Sequence, residues 1–326
     1  MQEEPLESHG RTHEFIRAMV RNRMALVGMI ITFVYGVIAL LDLIFPQYLG
    51  TSNANNALSF TVINGSNALK APSYFSIGGS WWYLLGTTNY GIPILPVMFA
   101  ALKFDLGYSL LVVSVSLLVG TLIGTLSGFY GRIWDSALMR ITDAFMSVPV
   151  IVAVALFAAA SNSSVLLMLS GFIFVYWASF ARTSRSYALL VRNSAFIEAA
   201  IASGATRRHN LVSHVIPNII SPIIAQIPIA ISNVIVVLAT FDFFFYFLTP
   251  GLSLTPELGN IMAGYPGAAN AFHVYPVPAS VWLVGGVWWP IVIPGIFLII
   301  LVVGLNMFSD GLIQYFDPRR RSLAGL

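Results

Sequence analysis

Six apolar stretches alternate with polar segments of unequal length along the chain. A helix that crosses the roughly 30 Å hydrocarbon layer of a membrane needs about 20 mostly apolar residues. The stretches lie at about residues 24–45, 108–130, 144–160, 165–181, 219–241 and 289–308. The pattern therefore predicts six transmembrane helices, and the third and fourth form a tight hairpin around the polar residues 161–164.

The composition agrees with a membrane protein. Of the 326 residues, 57% are apolar and 9% charged, and the mean hydropathy is +0.82. A soluble domain carries about a quarter charged residues, and a disordered chain has far less apolar surface. Cysteine is absent, which excludes disulfides, thiolate metal sites and cysteine nucleophiles. We expect an all-α polytopic membrane protein, and the small, scattered net charge of +3 gives no indication of a nucleic-acid partner.

The basic residues predict the orientation. With the amino terminus in the cytoplasm, the segments on that side hold fourteen of the sixteen basic residues: Arg11, Arg17, Arg21, Arg23, Arg132, Arg140, Arg182, Arg185, Arg192, Arg207, Arg208, Arg319, Arg320 and Arg321. Lys70 and Lys103 fall on the other side. Basic residues accumulate in cytoplasmic loops, so we expect a plasma-membrane protein with both termini in the cytoplasm. The first span is too long for a signal-peptide core and is followed by no small-residue cleavage site.

These spans divide the chain into three parts: a cytoplasmic tail at 1–23, a six-helix transmembrane domain at 24–308 and a cytoplasmic tail at 309–326. Two extracytoplasmic loops, at about 46–107 and 249–288, are large enough to cover a pathway or to bind a partner, although they could be ordinary surface loops. Within the first, the apolar run 92–102 is too short to span and contains two prolines. We expect this run to lie along the membrane surface.

The cytoplasmic connection at about 182–218 contains the most informative segment. Residues 196–203 predict a short helix with Glu198 near its start, where the helix dipole favours a carboxylate. Ala199 and Ala200 have little bulk, so another protein could approach this backbone closely. Gly204 is placed to end the helix, because glycine adopts the left-handed conformation at little cost.

A second limb follows the glycine. Thr206 can cap a helix that runs to Pro217, at the entry of the next span. Arg207 and Arg208 lie beside the bend. The segment therefore predicts a helix–turn–helix elbow on the cytoplasmic face. Its small residues could contact another protein, or they could simply pack against the chain's own spans.

The spacing E-A-A-x3-G at 198–204, followed by H-V-I-P at 214–217, resembles the EAA loop of binding-protein-dependent ABC importer permeases. Flanking segments are similar in the same order to those of the peptide-importer branch: L-G-T-T-N-Y-G at 85–91, G-F-Y-G at 128–131 and S-D-G-L at 309–312. The resemblance covers about residues 17–320. It indicates the C-type permease subunit of a dipeptide or oligopeptide importer.

Two departures from the branch pattern lie in the outer half. Thr88 stands in place of an acidic residue, and Ile92 and Pro93 stand in place of an R-D pair. Late in the fifth span, an aromatic run around Asp242 replaces a glutamate and an S-F-L-G-L-G run. The transport class is unaffected. A peptide is the first expectation for the cargo, and an oligosaccharide or nickel is the alternative.

The resemblance implies a type I ABC importer permease fold in the lipid bilayer, and three kinds of partner. These are a second related permease subunit, two ATPase subunits and an extracytoplasmic substrate-binding protein. The chain contains no G-x-x-x-x-G-K-[ST], so ATP and Mg²⁺ would be used by the ATPase subunits. The chain itself is expected to be non-catalytic and to bind no cofactor.

The elbow would then be the coupling helix that contacts an ATPase subunit. The residues expected at that contact, with the proline at the entry of the next span, are Glu198, Ala199, Ala200, Gly204, Arg207, Arg208 and Pro217.

Charged residues inside spans are costly and need an explanation. Asp242 is the candidate for the substrate pathway, although both it and Asp42 could simply reach the membrane surface. Asp143 and Asp310 lie near cytoplasmic ends, where ion pairs with Arg140 and the terminal arginines would account for them. We expect no metal site.

Two other classes of protein remain as alternatives. An ion-coupled secondary transporter would need acidic residues near mid-membrane and paired broken helices. A non-transporting membrane scaffold would form no stable complex with an ATPase.

Overall fold

The structure, a computed structural model, describes residues 19–49, 83–87, 93–160, 164–245, 257–262 and 288–316. Within these ranges it contains helices and no β-strand, apart from one isolated bridge between Thr87 and Pro93. Most of the two predicted extracytoplasmic loops, most of both tails and residues 161–163 of the predicted hairpin lie outside the described residues. The predicted domain limits therefore stay predictions.

Eleven α-helices lie in the described ranges: α1 (Arg23–Ile44), α2 (Ile94–Tyr130), α3 (Arg132–Met146), α4 (Val150–Ala159), α5 (Val165–Arg192), α6 (Ala195–Ala202), α7 (Arg207–His209), α8 (Ile216–Ile224), α9 (Ile227–Phe245), α10 (Leu258–Met262) and α11 (Trp289–Phe316). A π-helical segment, Asn210–Val215, joins α7 to α8. Helices α1, α2, α5, α9 and α11 are long and apolar enough to cross a membrane, and the bent pair α3–α4 makes a sixth span if it is counted as one. The prediction of an all-α polytopic membrane protein is confirmed.

The apolar run at 92–102 is not a separate surface segment, and that prediction is wrong. Its described part from residue 94 onward forms the first turns of α2, which has 37 residues and is about 55 Å long. Pro93 is the N-cap and Pro96 lies in the first turn, where a missing N–H costs no intrahelical hydrogen bond. Ile94, Val97 and Met98 are buried in a cluster with α10 and Trp289, so this end of α2 belongs to the protein core.

The third span is also not the single straight helix that the pattern predicts. Its chain is broken at residues 147–149, and α3 and α4 meet at an angle of 74°. Pro149 is the N-cap of α4 and cannot donate a hydrogen bond that would continue α3. The fourth and sixth spans continue beyond their predicted ends at 181 and 308, to Arg192 and Phe316.

Glycines set the closest helix contacts. On α2, a Cβ at Gly120, Gly124 or Gly128 would overlap the α5 backbone at Trp177, Ala181 or Arg185. Helices α1 and α11 also meet at glycines, because a Cβ at Gly28 would overlap the backbone of Phe308 and one at Gly304 would overlap the side chain of Ile31. Small residues let membrane helices approach closely. The two tight pairs are joined through a shared cluster with α9 that contains Tyr35, Leu102, Ile235 and Leu301.

Candidate functional site

The predicted elbow is present, and α6 is its first limb. The helix begins after Ser194 and buries a single residue, Ile197, on its inner face. Its outer face exposes 48% of Phe196 and 59% of Ile201. Glu198 and Ala199 are exposed as well, and Ala200 is half-buried. An apolar helical surface of this kind, open on the outside, is a common form of protein contact site.

Gly204 ends α6 in the left-handed conformation, with φ +86°. The amide of Gly204 donates to the carbonyl of Ile201, and the amide of Ala205 donates to that of Ala200, each at 3.0 Å. These two bonds form a Schellman motif, which satisfies carbonyls that the helix end would otherwise leave free. No atom lies within 4 Å of a Cβ built at Gly204, so the glycine is needed for its backbone conformation and not for space. The predicted conformation of Gly204 is confirmed.

The second limb begins as predicted but is not one helix. The Oγ1 of Thr206 accepts from the amide of His209 at 3.2 Å, which caps α7. The chain then passes through the π-helical segment before α8 begins at Ile216, with Pro217 in the first turn. Pro217 has no N–H to donate, so the α-helical ladder cannot continue regularly through it. Locally wider π turns accommodate such an interruption.

The elbow is fixed to the spans through its inner face. Ile197 packs with Phe129 at the end of α2 and Ala188 on α5. Leu211 and Val215 from the π-helical segment and Ile219 from α8 complete the same cluster. The ends of the two spans α2 and α5, the elbow and α8 therefore form one packed unit.

Three charged side chains of the elbow point away from this unit. Glu198, Arg207 and Arg208 are exposed, and none of them makes an ion pair with another residue that the structure describes. The sequence placed the arginines beside the bend, and the structure places them in α7 directly after Thr206. They are free to contact a partner of opposite charge.

Next to the elbow lies a polar contact that the sequence analysis missed. Asp135 in the first turn of α3 accepts hydrogen bonds from Arg185 Nε at 2.5 Å and Arg185 Nη2 at 2.7 Å. It also accepts one from Ser127 Oγ on α2, at 2.6 Å. One signal in the sequence was available. Asp135 and Asp143 are separated by about two helical turns, so both lie on the same face of a helix and can pair with the same neighbouring helix.

Asp143 does not form the predicted ion pair with Arg140. It pairs with Arg182 on α5 instead, with 2.6 Å between the charged atoms. Arg140 is only three residues before Asp143 in the same helix, but α5 runs alongside α3 and presents Arg182 to it. The terminal arginines expected to pair with Asp310 lie outside the described residues.

The acidic residues of the outer half are buried inside the protein. Asp42 on α1 pairs with Lys103 on α2, with 2.8 Å between the charged atoms. Asp242 on α9 lies within hydrogen-bond reach of Glu257, which precedes α10, and Asp105 on α2 lies near both. One carboxylate oxygen of Asp105 accepts from the amide of Leu258 at 3.2 Å. Asp105, Asp242 and Glu257, here called the acidic cluster, are thus assembled from three distant parts of the sequence.

The acidic cluster has no counterpart in the sequence analysis apart from Asp242. Asp105 is an acidic residue within an apolar run, and this pattern could have indicated a buried polar site. Within the described residues, no group of three His, Asp or Glu side chains is arranged to hold a metal ion.

Comparison with known proteins identifies the class of this fold. Residues 120–322 match the family described as binding-protein-dependent transport system inner membrane component. This region contains the elbow and more than half of the chain.

Similar proteins extend the match to nearly the whole chain. The dipeptide transport system permease protein DppC of Haemophilus influenzae is 26% identical over 98% of this chain and 99% of its own length. The protein of the same name from Alkalihalophilus pseudofirmus is 27% identical over 95% of this chain and 90% of its own. A probable D,D-dipeptide transport system permease protein of Escherichia coli is 28% identical, over 87% and 85%. With a family match that includes the elbow and every helix from α3 to α11, this chain belongs to the family of inner membrane components of binding-protein-dependent transport systems.

Proposed function

We propose that this chain is one permease subunit of an ATP-driven peptide importer, and that its elbow is the site where an ATPase subunit docks. The elbow geometry carries the proposal. A short helix presents an apolar face outward, and its inner face is packed against the ends of α2, α5 and α8. A force applied to α6 from outside would therefore reach the spans directly.

The docking residues are those of the outer surface. Glu198, Ala199 and Ala200 on α6 meet the ATPase subunit, and Gly204 shapes the turn behind them. Arg207 and Arg208 extend the contact, and acidic groups on the ATPase surface would complement them. Pro217 lies where the second limb enters the next span.

The family membership and the charge pattern support the rest of the assembly. A second related permease subunit completes the pathway, two ATPase subunits bind ATP and Mg²⁺, and an extracytoplasmic binding protein delivers the substrate. This chain hydrolyses no ATP and binds no cofactor. Because fourteen basic residues would otherwise face outward, both termini and the elbow lie in the cytoplasm of a plasma-membrane protein.

The names of the relatives favour a peptide as the cargo over an oligosaccharide or nickel, since all three relatives above are dipeptide permeases by name. Asp242 is a pathway candidate, because it lies late in α9 beside two other carboxyl groups. Uptake of labelled alanyl-alanine into ATP-loaded vesicles, measured in competition with maltotriose and with Ni²⁺, tests the cargo. Competition by either of these and none by a second dipeptide would contradict a peptide importer.

The docking site is tested by Ile201→Asp, with Ile201→Val as the matched control. A carboxylate buried in an apolar interface costs several kcal/mol, so we expect at least about a tenfold loss of co-purified ATPase subunits. Ile201→Val keeps an apolar contact and retains them. Equal amounts of bound ATPase and equal uptake in the two variants would show that α6 is not the docking helix.

A further inference from the structure

Helix α3 buries little of its own surface, and its apolar packing on α5 is at its end, where the ring of Phe145 lies against Phe174 and Trp177. Of its 15 residues, Thr142 alone is buried. Two ion pairs instead connect α3 to α5, Asp135 with Arg185 near its start and Asp143 with Arg182 near its end. The position of α3, and of α4 beyond the 74° bend, therefore depends on these contacts.

The two pairs differ in strength. The side chains of Arg185 and Asp135 are 31% and 21% exposed, and Asp135 receives two hydrogen bonds from the guanidinium and a third from Ser127. The side chains of Arg182 and Asp143 are 53% and 60% exposed and share a single bond. Exposed single pairs contribute about 0–1 kcal/mol, whereas two-pronged pairs with partial burial are stronger. The Asp135 pair is thus the main connection, and the Asp143 pair is a natural control.

The Asp135 pair also lies directly beside the elbow. Ile197 of α6 packs against Ala188 on α5, which is one turn from Arg185, and against Phe129 on α2, which is two residues from Ser127. The tight contact between α2 and α5 through Gly124 and Gly128 makes these two helices move together. Movement of the elbow therefore reaches both partners of Asp135 at once.

We propose that the Asp135–Arg185 ion pair is the positioning contact through which movement of the elbow reaches the bent third span, α3–α4. This inference rests on the proposed function. A displaced α5 carries Arg185 with it, and the carboxylate of Asp135 follows because the pair is two-pronged. Without the pair, the first part of α3 has no buried residue to hold it and would lag behind α5, since Thr142, Phe145 and Asp143 hold only the end of the helix.

The test compares Asp135→Asn with Asp143→Asn in the complete complex with its ATPase subunits and binding protein. Loss of one charge-assisted hydrogen bond changes the equilibrium that it stabilises by about tenfold or more. For Asp135→Asn we expect uptake of labelled alanyl-alanine to fall about tenfold while ATP hydrolysis continues, so ATP consumed per dipeptide rises by the same factor. For Asp143→Asn we expect uptake and the ATP consumed per dipeptide to change by less than about twofold.

Exchange of the two charges separates positioning from folding. Asp135→Arg combined with Arg185→Asp restores much of the coupling that either single exchange removes. Unchanged coupling in Asp135→Asn would overturn the inference. So would failure of both the single and the exchanged variants to assemble, because the pair would then be a folding contact only.

A distance measurement decides the same point without a cargo. The chain has no cysteine, so spin labels at Ser136→Cys on α3 and Leu190→Cys on α5 are its only ones when this subunit is labelled before it is assembled with its partners. Both positions are exposed. We expect this distance to stay constant between nucleotide-free and ATP-bound complexes, and to vary when Asp135→Asn is added. A distance that stays constant both in the unaltered complex and in the Asp135→Asn complex would overturn the inference. Lack of dipeptide uptake by the unaltered complex would overturn the proposed cargo alone.

Discussion

The elbow and the acidic cluster show two different ways in which this chain builds a polar feature. The elbow consists of consecutive residues, and each of its turns is determined by local backbone chemistry at Gly204, Thr206 and Pro217. The acidic cluster joins α2, α9 and the segment before α10, and the hydrogen bond from the Leu258 amide to Asp105 joins residues that are 153 positions apart. The elbow is exposed and available to a partner, whereas the acidic cluster is enclosed by the protein. The elbow is thus built from neighbours in the sequence, and the acidic cluster from residues that meet only in the folded protein.

The largest effect is expected where the acidic cluster is packed most tightly. Gly259 of α10 lies against the backbone of Ala239 and the Cβ of Asp242, and a Cβ at Gly259 would overlap the carbonyl of Ala239. Gly259→Ala should therefore displace α10 and lower the free energy of unfolding by about 3 kcal/mol. Thermal unfolding of the purified protein in detergent measures this.

Gly295→Ala is the matched control, because the nearest atom to its Cβ, the sulfur of Met262, lies at 3.7 Å. This substitution in α11 should leave stability unchanged or raise it slightly, since alanine favours a helix more than glycine does. Equal melting temperatures for the two variants would mean that α10 is not packed on α9 as described.

A smaller effect is expected at the turn of the elbow. Gly204→Ala places a Cβ in the left-handed conformation, at a cost of about 1–2 kcal/mol, but meets no neighbouring atom. Local opening of α6, measured by hydrogen exchange, should therefore increase while the melting temperature of the whole protein changes little. Gly204→Asn should open α6 less, because asparagine tolerates this conformation better. Global unfolding caused by Gly204→Ala would contradict a turn that is locally determined.

The smallest effect is expected at the cap of the second limb. Thr206→Ala removes the acceptor for the amide of His209 and should cost about 1 kcal/mol. Faster hydrogen exchange at that amide, with little change at α6, would be the measured result. Thr206→Ser keeps the hydroxyl and should exchange at the original rate, so faster exchange in both variants would place the cap elsewhere.

The sequence could predict the parts of the fold that depend on local signals. The apolar stretches gave five of the spans, and Gly204, Thr206 and Pro217 gave the elbow, because turn and cap preferences act over four or five residues. The EAA spacing also gave the family. Prolines were harder to interpret. Pro93 and Pro96 begin α2, where the pattern predicted a separate surface segment. Pro149 divides the third span, where the pattern predicted an unbroken helix.

Contacts between distant residues could not be predicted in the same way. Asp143 was expected to pair with Arg140, three residues away, and pairs with Arg182 because α5 lies beside α3. Asp135 and Arg185, and likewise Asp105 and Glu257, meet only after the spans have packed. Nothing in a single sequence states which helix faces which, so these parts of the site required the structure.

A crosslinking experiment tests the docking of the elbow most directly. In this cysteine-free chain, Ile201→Cys would carry a single thiol at the exposed face of α6. We predict that a short thiol-to-amine crosslinker joins this thiol to an ATPase subunit in membranes. We also predict that a membrane-impermeant maleimide added to intact cells does not label it. Labelling from outside the cell, with no crosslink to an ATPase subunit, would contradict the account.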